Sequence, residues 1–360
     1  MIKVAYIIPT LSQGGAEMQQ INILNGLDHN RFIVKVLVLK DKKELIGFVN
    51  PDLINKIEFI GFKNFLSIGK LFELYRELKS FSPDIIHSQM YNANILSRLI
   101  SYFFKSRPLL INHSHGLSEW IDKPRLFLDQ FTHSTVDKFI VVSSASMKLR
   151  TTREKYPQNK VQLLANSVSD KLTMIPKRPL SSTITFGIAC RLIPLKNVQG
   201  TINLVSSLSR LGIECKLKVA GDGPEREKLE EIASSCGVEV EFLGFTENMD
   251  AFFESIDVFC LSSTTEDLPL SIIEAMMSGK PVISASVGGI PNLVKGLHSA
   301  HLVDDFFDES EVNCTFEFIK SLYGFDYHSE LTQFAMSKFS NSGYCNSLQN
   351  MYVDLVGTNE

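Results

Sequence analysis

The sequence predicts an α/β protein made of two doubly wound, parallel-sheet domains, and three observations carry that prediction. The chain has 360 residues, more than one hydrophobic core usually organises. Short runs rich in Val and Ile alternate with longer amphipathic ones, the order that produces parallel strands joined by right-handed helical crossovers. The alternation fills the first half, stops at the proline-bearing stretch IPKRPLSS, and starts again beyond it.

In the first half KVAYIIP, FIVKVLVL, DIIHS, LLINHSH and KFIVVSS read as strands. Between them AEMQQINILNGL and IGKLFELYRELKSF space their apolar residues as helices do. In the second half the strands are TITFGIAC, CKLKVAG, VEVEFLG, DVFCLSS, KPVISAS and AHLV. The expected division is an N-terminal Rossmann-like domain over 1–175, a linker over 176–182 marked by Pro176 and Pro179, and a C-terminal Rossmann-like domain over 183–338. A helical tail follows over 339–360, broken near SNSG and able to pack on either domain, a return to the N-terminal one included. Ligands of such sheets bind at the carboxyl ends of the strands, so two of them facing each other would make a cleft.

Composition narrows the class. With 44% hydrophobic and 21% charged residues the chain reads as soluble and globular. No apolar run reaches the roughly 18 residues of a membrane span; SRLISYFFKSRPLLI comes closest and is interrupted by Lys105 and Arg107. MIKVAYIIPT reads as a buried first strand, not a leader, with Gly14 and Gly15 following as a turn. The six cysteines form no C-x-x-C and no close pair, which suggests neither zinc nor disulfides and fits a reducing cytoplasm. The net charge of −4 hides an asymmetry: residues 1–180 hold 25 Lys and Arg against 15 Asp and Glu, and residues 181–360 hold 11 against 25. A basic half suits an anionic partner, such as nucleic acid, a phospholipid surface or a phosphorylated substrate, or is ordinary solvated surface.

The residues that could carry chemistry lie at strand ends. In TTEDLPLSIIEAM, Pro269 suits the first turn of a helix, which places Glu266 in the entering loop and Glu274 on the second turn. At 1.5 Å per residue the two carboxylates are about 8 Å apart along the axis, too far to share a metal but suited to gripping two parts of an elongated ligand. ACRLIPLKN puts Arg191 and Lys196 after a strand, where a fork and a point charge suit a diphosphate, or are simply solvated. TLSQGGAEMQQ opens a helix behind Gly14 and Gly15, either an anion-binding junction or a tight turn. AGDGPERE has Gly221 and Gly223 but Arg226 in the third place of a dinucleotide fingerprint, and no acidic ribose partner, so it reads as a loop supporting the cleft. His87, His113 and His115 close two strands; one of them could act chemically, the usual alternative being structural hydrogen bonding, and no carboxylate or cysteine has useful spacing to complete a metal site. Neither a G-x-S-x-G elbow nor a G-x-x-x-x-G-K-[ST] loop occurs, which removes the usual support for hydrolase and ATPase readings.

In this order the motifs resemble the retaining glycosyltransferases of the two-domain GT-B fold, family four (group 1), with its paired-glutamate signature. The resemblance covers nearly the whole chain and is most specific from FLGF through MDAFFESIDVFCLSSTTEDLPLSIIEAMMSGKPVISASVGGIPNLV. It implies that Glu266 touches donor-sugar hydroxyls at the reacting end, as a catalytic or donor-positioning group, and that Glu274 holds the ribose. It implies that the backbone from Leu268 through Pro269 and Leu270 to Ser271 holds sugar and phosphate, and that Arg191 and Lys196 neutralise the leaving diphosphate. Gly14 and Gly15 would form the family's glycine loop, and His115 would line the donor sugar and acceptor. The implied reaction moves a sugar, with retention, from a nucleoside-diphosphate-sugar to a hydroxyl of a glycan or lipid-linked oligosaccharide in bacterial surface polysaccharide synthesis (capsule, O-antigen or exopolysaccharide). No cofactor and no metal are expected, and no nucleic acid partner.

The implied place is the cytoplasm, with peripheral contact at the inner face of the plasma membrane through Lys105, Arg107, Lys123, Arg125, Lys148 and Arg150 near RLFLDQF. Two rivals remain: a nucleotide-sugar epimerase on the same fold, and a catalytically silent nucleotide-sugar binder. Departures from the family pattern are Asp267 for glycine, Gln89 for the second imidazole of a His-x-His, ANSVS for Asn-Gly-Val-Asp, and Asn292 for glutamate. None falls on the diphosphate pair or on either signature glutamate.

Overall fold

The structure, a computed structural model, describes residues 1–64, 67–116, 123–176 and 180–358. Pro179 of the expected linker lies outside the described residues. The chain divides into two compact units, Met1–Ser167 with Asn341–Glu360, and Val168–Ser340. The division therefore falls ahead of the 176–182 stretch, and the end of the chain belongs to the first unit.

The first unit contains β1 (Ile2–Ile8), α1 (Gly15–Gly26), β2 (Phe32–Val38), β3 (Ile57–Phe59), α2 (Ile68–Phe81), β4 (Ile85–Gln89) and α3 (Met90–Ser101). It continues with β5 (Leu109–Ser114), α4 (Lys123–Thr132), β6 (Lys138–Val141), α5 (Ser144–Thr152) and β7 (Val161–Leu163). Among the described residues these strands form a seven-stranded sheet in the order β3-β2-β1-β4-β5-β6-β7, parallel throughout. Helices cover both faces, so the strands are apolar almost without interruption and alternate residues serve opposite cores. Val4, Tyr6 and Ile8 point to one cluster with Ile21, Leu24 and Phe32, while Ala5 and Ile7 point to the other with Leu74, Leu78 and Leu96. Helix α5 begins with a capping box in which Ser143 and Ser146 satisfy each other's backbone amides.

The second unit contains β8 (Thr183–Ala189), α6 (Val198–Arg210), β9 (Glu214–Ala220), α7 (Arg226–Ser234), β10 (Glu239–Gly244), α8 (Met249–Glu254) and β11 (Val258–Leu261). It ends with α9 (Leu270–Met277), β12 (Val282–Ala285), α10 (Ile290–Leu293), β13 (Ala300–Val303), α11 (Glu309–Ser321) and α12 (Tyr327–Phe339). Its sheet runs β10-β9-β8-β11-β12-β13, again parallel. The last helix, α13 (Asn341–Gly357), buries Tyr344, Cys345, Leu348, Met351 and Tyr352 in the first unit's core. Ser340 is the break between the two tail helices, with extended backbone.

Each sheet order reverses once, between β1 and β4 in the first unit and between β8 and β11 in the second. In doubly wound sheets these reversals are where ligands bind, because adjacent loops leave there in opposite directions. The loops so placed follow Ile8, Gln89, Ala189 and Leu261.

Candidate active site

In the second unit the reversal brings the two loops carrying the charged motifs together. Beyond β8 the chain passes Cys190 and the exposed Arg191, makes one turn over Pro194–Lys196, and swings into α6 at Asn197, whose φ of 45° is left-handed. The loop after β11 is tied to it at three points. Thr264 N donates to Leu195 O at 2.9 Å, Ser262 Oγ donates to Asn197 O at 2.6 Å, and Lys196 Nζ donates to Glu266 Oε1 at 2.5 Å. That ion pair is largely sheltered, with the Lys196 and Glu266 side chains 25% and 10% exposed. The sequence assigned these two residues to different parts of a ligand; here they are direct partners.

The loop after β9 supports Arg191 from the other side. Leu192 N donates to Asp222 O at 3.0 Å and Glu225 N to Leu192 O at 3.1 Å. A side chain on Gly221 would place Cβ 1.9 Å from Cys190 O, and one on Gly223 would place it 2.4 Å from Leu192 O. Gly221 also has a φ of +126°, which favours glycine. The two glycines of AGDGPERE thus let one backbone lie against another.

Pro269 caps α9, buried together with Leu268, and the first turn of the helix offers amides that have no partner one turn back. Glu274 stands on the second turn, half-buried. Burial pushes its carboxyl up to about 7, and the Asp250 carboxylate on α8 adds to the shift. Near neutral pH it is poised to hold or release a proton, and a ribose diol could donate to the ionised form.

In the first unit Gly14 caps α1 with extended backbone, φ −176°, a conformation open to any residue. A Cβ at Gly14 would lie 2.4 Å from Glu17 Oε2. Thr10 Oγ1 donates to Glu17 Oε1 at 2.8 Å, holding that carboxylate over the helix N-terminus, where a negative charge is favoured. The glycine junction is therefore partly neutralised by its own chain.

The three histidines differ sharply in surroundings. His87 and His113 are fully buried. His87 Nδ1 lies 2.6 Å from Tyr352 Oη, which lies 2.9 Å from Tyr6 Oη. Burial lowers His87 to about 3, helped by His115, and puts His113 well below the ordinary imidazole range. Both are neutral members of the core. His115, one residue past β5, is half-buried, and burial lowers it to about 4. Its Nε2 lies 3.1 Å from Gln89 Oε1, its Nδ1 3.3 Å from Asn166 Oδ1, and its ring 4.0 Å from that of His113. Gln89 in turn donates from Nε2 to Gln20 Oε1 on α1. Gln20 escaped the sequence reading because its only signal is a Gln-Gln pair at apolar helix positions, both fully buried.

One expectation is corrected. Arg150, expected to meet lipid headgroups, is fully buried, paired with Glu154 and donating to Ser114 Oγ at 2.5 Å. Lys105, Arg107, Lys123, Arg125 and Lys148 are exposed. Among the described residues no group of three or more His, Cys, Asp or Glu could hold a metal ion, and no helix is long and apolar enough to cross a membrane.

Two family models meet this arrangement end to end. Glycosyltransferase Family 4 matches residues 13–172, taking in the glycine loop and His115, and Glycosyl transferases group 1 matches residues 175–314, taking in Arg191, Lys196, Glu266 and Glu274. The chain is a group 1, family four-like glycosyltransferase. A Campylobacter jejuni relative, GalNAc-alpha-(1->4)-GalNAc-alpha-(1->3)-diNAcBac-PP-undecaprenol alpha-1,4-N-acetyl-D-galactosaminyltransferase, is 28% identical over 84% of this glycosyltransferase and 85% of its own length. The Escherichia coli O-antigen biosynthesis glycosyltransferase WbnH is 25% identical over 66% of this chain and 68% of its own. Anabaena HepE, solved with UDP, is similar in structure with a TM-score of 0.82 and 18% identity, over 98% of this chain and 100% of its own; it has also been solved with UDP-glucose. The two sheets and their neighbours define the glycosyltransferase as GT-B.

Proposed function

We propose that the enzyme transfers a sugar, with retention, from a nucleoside-diphosphate-sugar to a hydroxyl of a lipid-linked glycan in the building of a bacterial surface polysaccharide. The observation that carries this reading is the sheltered Lys196–Glu266 pair, fixed at the β8/β11 reversal beside the N-terminus of α9. When the glycosidic bond breaks, charge develops on the departing diphosphate. Arg191, Lys196 and the backbone from Leu268 to Ser271 would stabilise it without reorganising, and without a metal. Glu274 takes the ribose, Glu266 the sugar hydroxyls, and His115 with the Gly14–Gly15 loop the reacting sugar and acceptor. Retention is read as departure and attack on one face, with Glu266 positioning the donor and not forming a glycosyl-enzyme bond.

The name of the Campylobacter relative, with its polyprenyl diphosphate acceptor, supports a lipid-linked acceptor, that of WbnH supports O-antigen-type glycans, and the HepE complexes support a UDP-sugar. A lipid-linked acceptor is met at the inner face of the plasma membrane, and α4 offers a surface for that contact. Its inner side is anchored by Arg98, which donates to Asp129 Oδ1 at 2.7 Å. Its outer side carries Phe127 and Phe131, 71% and 75% exposed with stacked rings, near the exposed Lys123 and Arg125. Each such cation is worth about 1 kcal/mol near an anionic surface. Phe127→Ser with Phe131→Ser should weaken flotation with anionic liposomes; equal flotation would remove the membrane contact.

The test of the donor site is thermal stability in EDTA with UDP-, GDP-, ADP-, dTDP- and CMP-sugars, with Glu274→Ala alongside. A ligand at 100 times its Kd adds about 2.7 kcal/mol to the folded state. A shift with UDP-sugars that Glu274→Ala abolishes is expected. No shift with any donor would overturn the reading.

A further inference from the structure

Lys196 and Glu266 have different tasks in the reading above, one toward the departing diphosphate and one toward the sugar hydroxyls, yet the fold ties them to each other. Lys196 Nζ donates to Glu266 Oε1 at 2.5 Å, and among the described residues no hydrogen bond reaches Glu266 Oε2. Their backbones are fastened as well. Thr264 N and Oγ1 donate to Leu195 O at 2.9 and 3.2 Å, and Ser262 Oγ donates to Asn197 O at 2.6 Å. The residues on either side of Lys196 are thus anchored to the segment that leads to Glu266, which keeps the carboxylate at a high effective concentration around the ammonium. An anion arriving at Lys196 meets a carboxylate already there. With the two side chains 25% and 10% exposed, solvent screens little of the repulsion between the two anions. Cys190, an ionisable neighbour on which both act, gives no relief, because burial pushes its thiol up to about 12 and keeps it uncharged. We infer that Glu266 is an internal competitor of the diphosphate for Lys196, and that only a nucleotide still carrying its sugar offsets the competition.

The offset has a chemical source. Sugar hydroxyls are donors, and a sheltered carboxylate that shares its lysine with another anion must find such donors or stand unsatisfied. A nucleoside-diphosphate-sugar brings them to Glu266. The nucleoside diphosphate that remains once the sugar has gone to the acceptor does not, and Glu266 then draws Lys196 back. The pair thereby tells substrate from product at one site, favouring entry of the donor and exit of the spent nucleotide. A site that only had to hold a diphosphate would gain nothing from this carboxylate.

The inference rests on the assignment of Lys196 to the diphosphate, and the experiment separates the two. Dissociation constants are measured by isothermal titration calorimetry for UDP, GDP, ADP and dTDP and for the glucose ester of each. The proteins are the full chain and its Glu266→Gln, Glu266→Ala and Lys196→Met variants, each shown to fold by its melting curve. For the base that binds, the wild type should prefer the ester to the bare diphosphate. Removing the carboxylate should tighten the bare diphosphate about tenfold, as expected when one like charge is taken away at close range, and should abolish the preference for the ester. Loss of a residue that merely shaped the site, or merely bound sugar, would leave the bare diphosphate unchanged or weaker. That result in either folded Glu266 variant, or a wild type that binds both forms alike, overturns the inference; if Lys196→Met still weakens the diphosphate, the donor site stands without it. A Lys196→Met protein that binds the diphosphate as the wild type does, or no binding of any nucleotide, overturns both.

Discussion

Glu274 is a carboxyl that folding makes harder to ionise, and the sign of its effect on stability follows. Its ordinary value is 4.5 and its folded value about 7. Between those pH values the native state keeps a proton that the unfolded chain has released, so stability falls as pH rises through that window and levels off above it. The Glu274→Gln enzyme should lose this component, its melting temperature changing less than the wild type's between pH 4.5 and 7 as followed by circular dichroism; parallel curves would show that burial does not govern this group. At this scale the sequence was legible in type but not in partnership. Lys196 and Glu266 stood out as charged residues at strand ends, yet their contact depends on β8 lying next to β11, which no local pattern states. His87, His113 and His115 look equivalent as residues. What separates them is that the first two lie inside strands, His87 against Tyr6 and Tyr352 and His113 stacked on His87, whereas the third lies one step beyond.

Among elements, the loop after β9 shows most plainly how packing, not ligand contact, can demand glycine. Replacing Gly221 by alanine would drive Cβ to 1.9 Å from Cys190 O at a φ of +126°. Overpacking of this kind costs about 1–3 kcal/mol, and here the backbone that must yield is the one leading to Arg191. Gly221→Ala should therefore lower the urea midpoint and weaken nucleotide-sugar binding together, whereas the exposed Gly237, with open space at Cβ, gives no reason for a binding defect. The long buried strands were readable because both of their faces are covered and the apolar runs are continuous. The short strands β3 and β7 were not. Each has three residues, lies at an edge of the sheet and has a single pairing partner, so it carries little hydrophobic signal.

For the whole molecule, alternation was enough to announce two parallel sheets, because each strand and crossover repeats the same physical requirement. Where the tail would dock was left open, since its apolar residues would suit either core. The structure has Tyr352 hydrogen-bonded within the first unit, to Tyr6 and against His87, and Leu348 fully buried there. Ending the chain after Ser340 should uncover that cluster: the first unit should lose its cooperative melting transition and bind a hydrophobic dye, while the second keeps its own. Two retained transitions would mean that α13 contributes little.

That arrangement also orders events during synthesis. The second unit is one unbroken stretch, Val168–Ser340, whereas the first waits for Asn341 onward to close its core. The half that leaves the ribosome first is thus the half that is finished last. Its sheet must endure, with Tyr6 and His87 unsealed, for the time needed to translate an entire second domain, and ribosome pausing or a late frameshift would injure the N-terminal half although the lesion lies at the opposite end of the message.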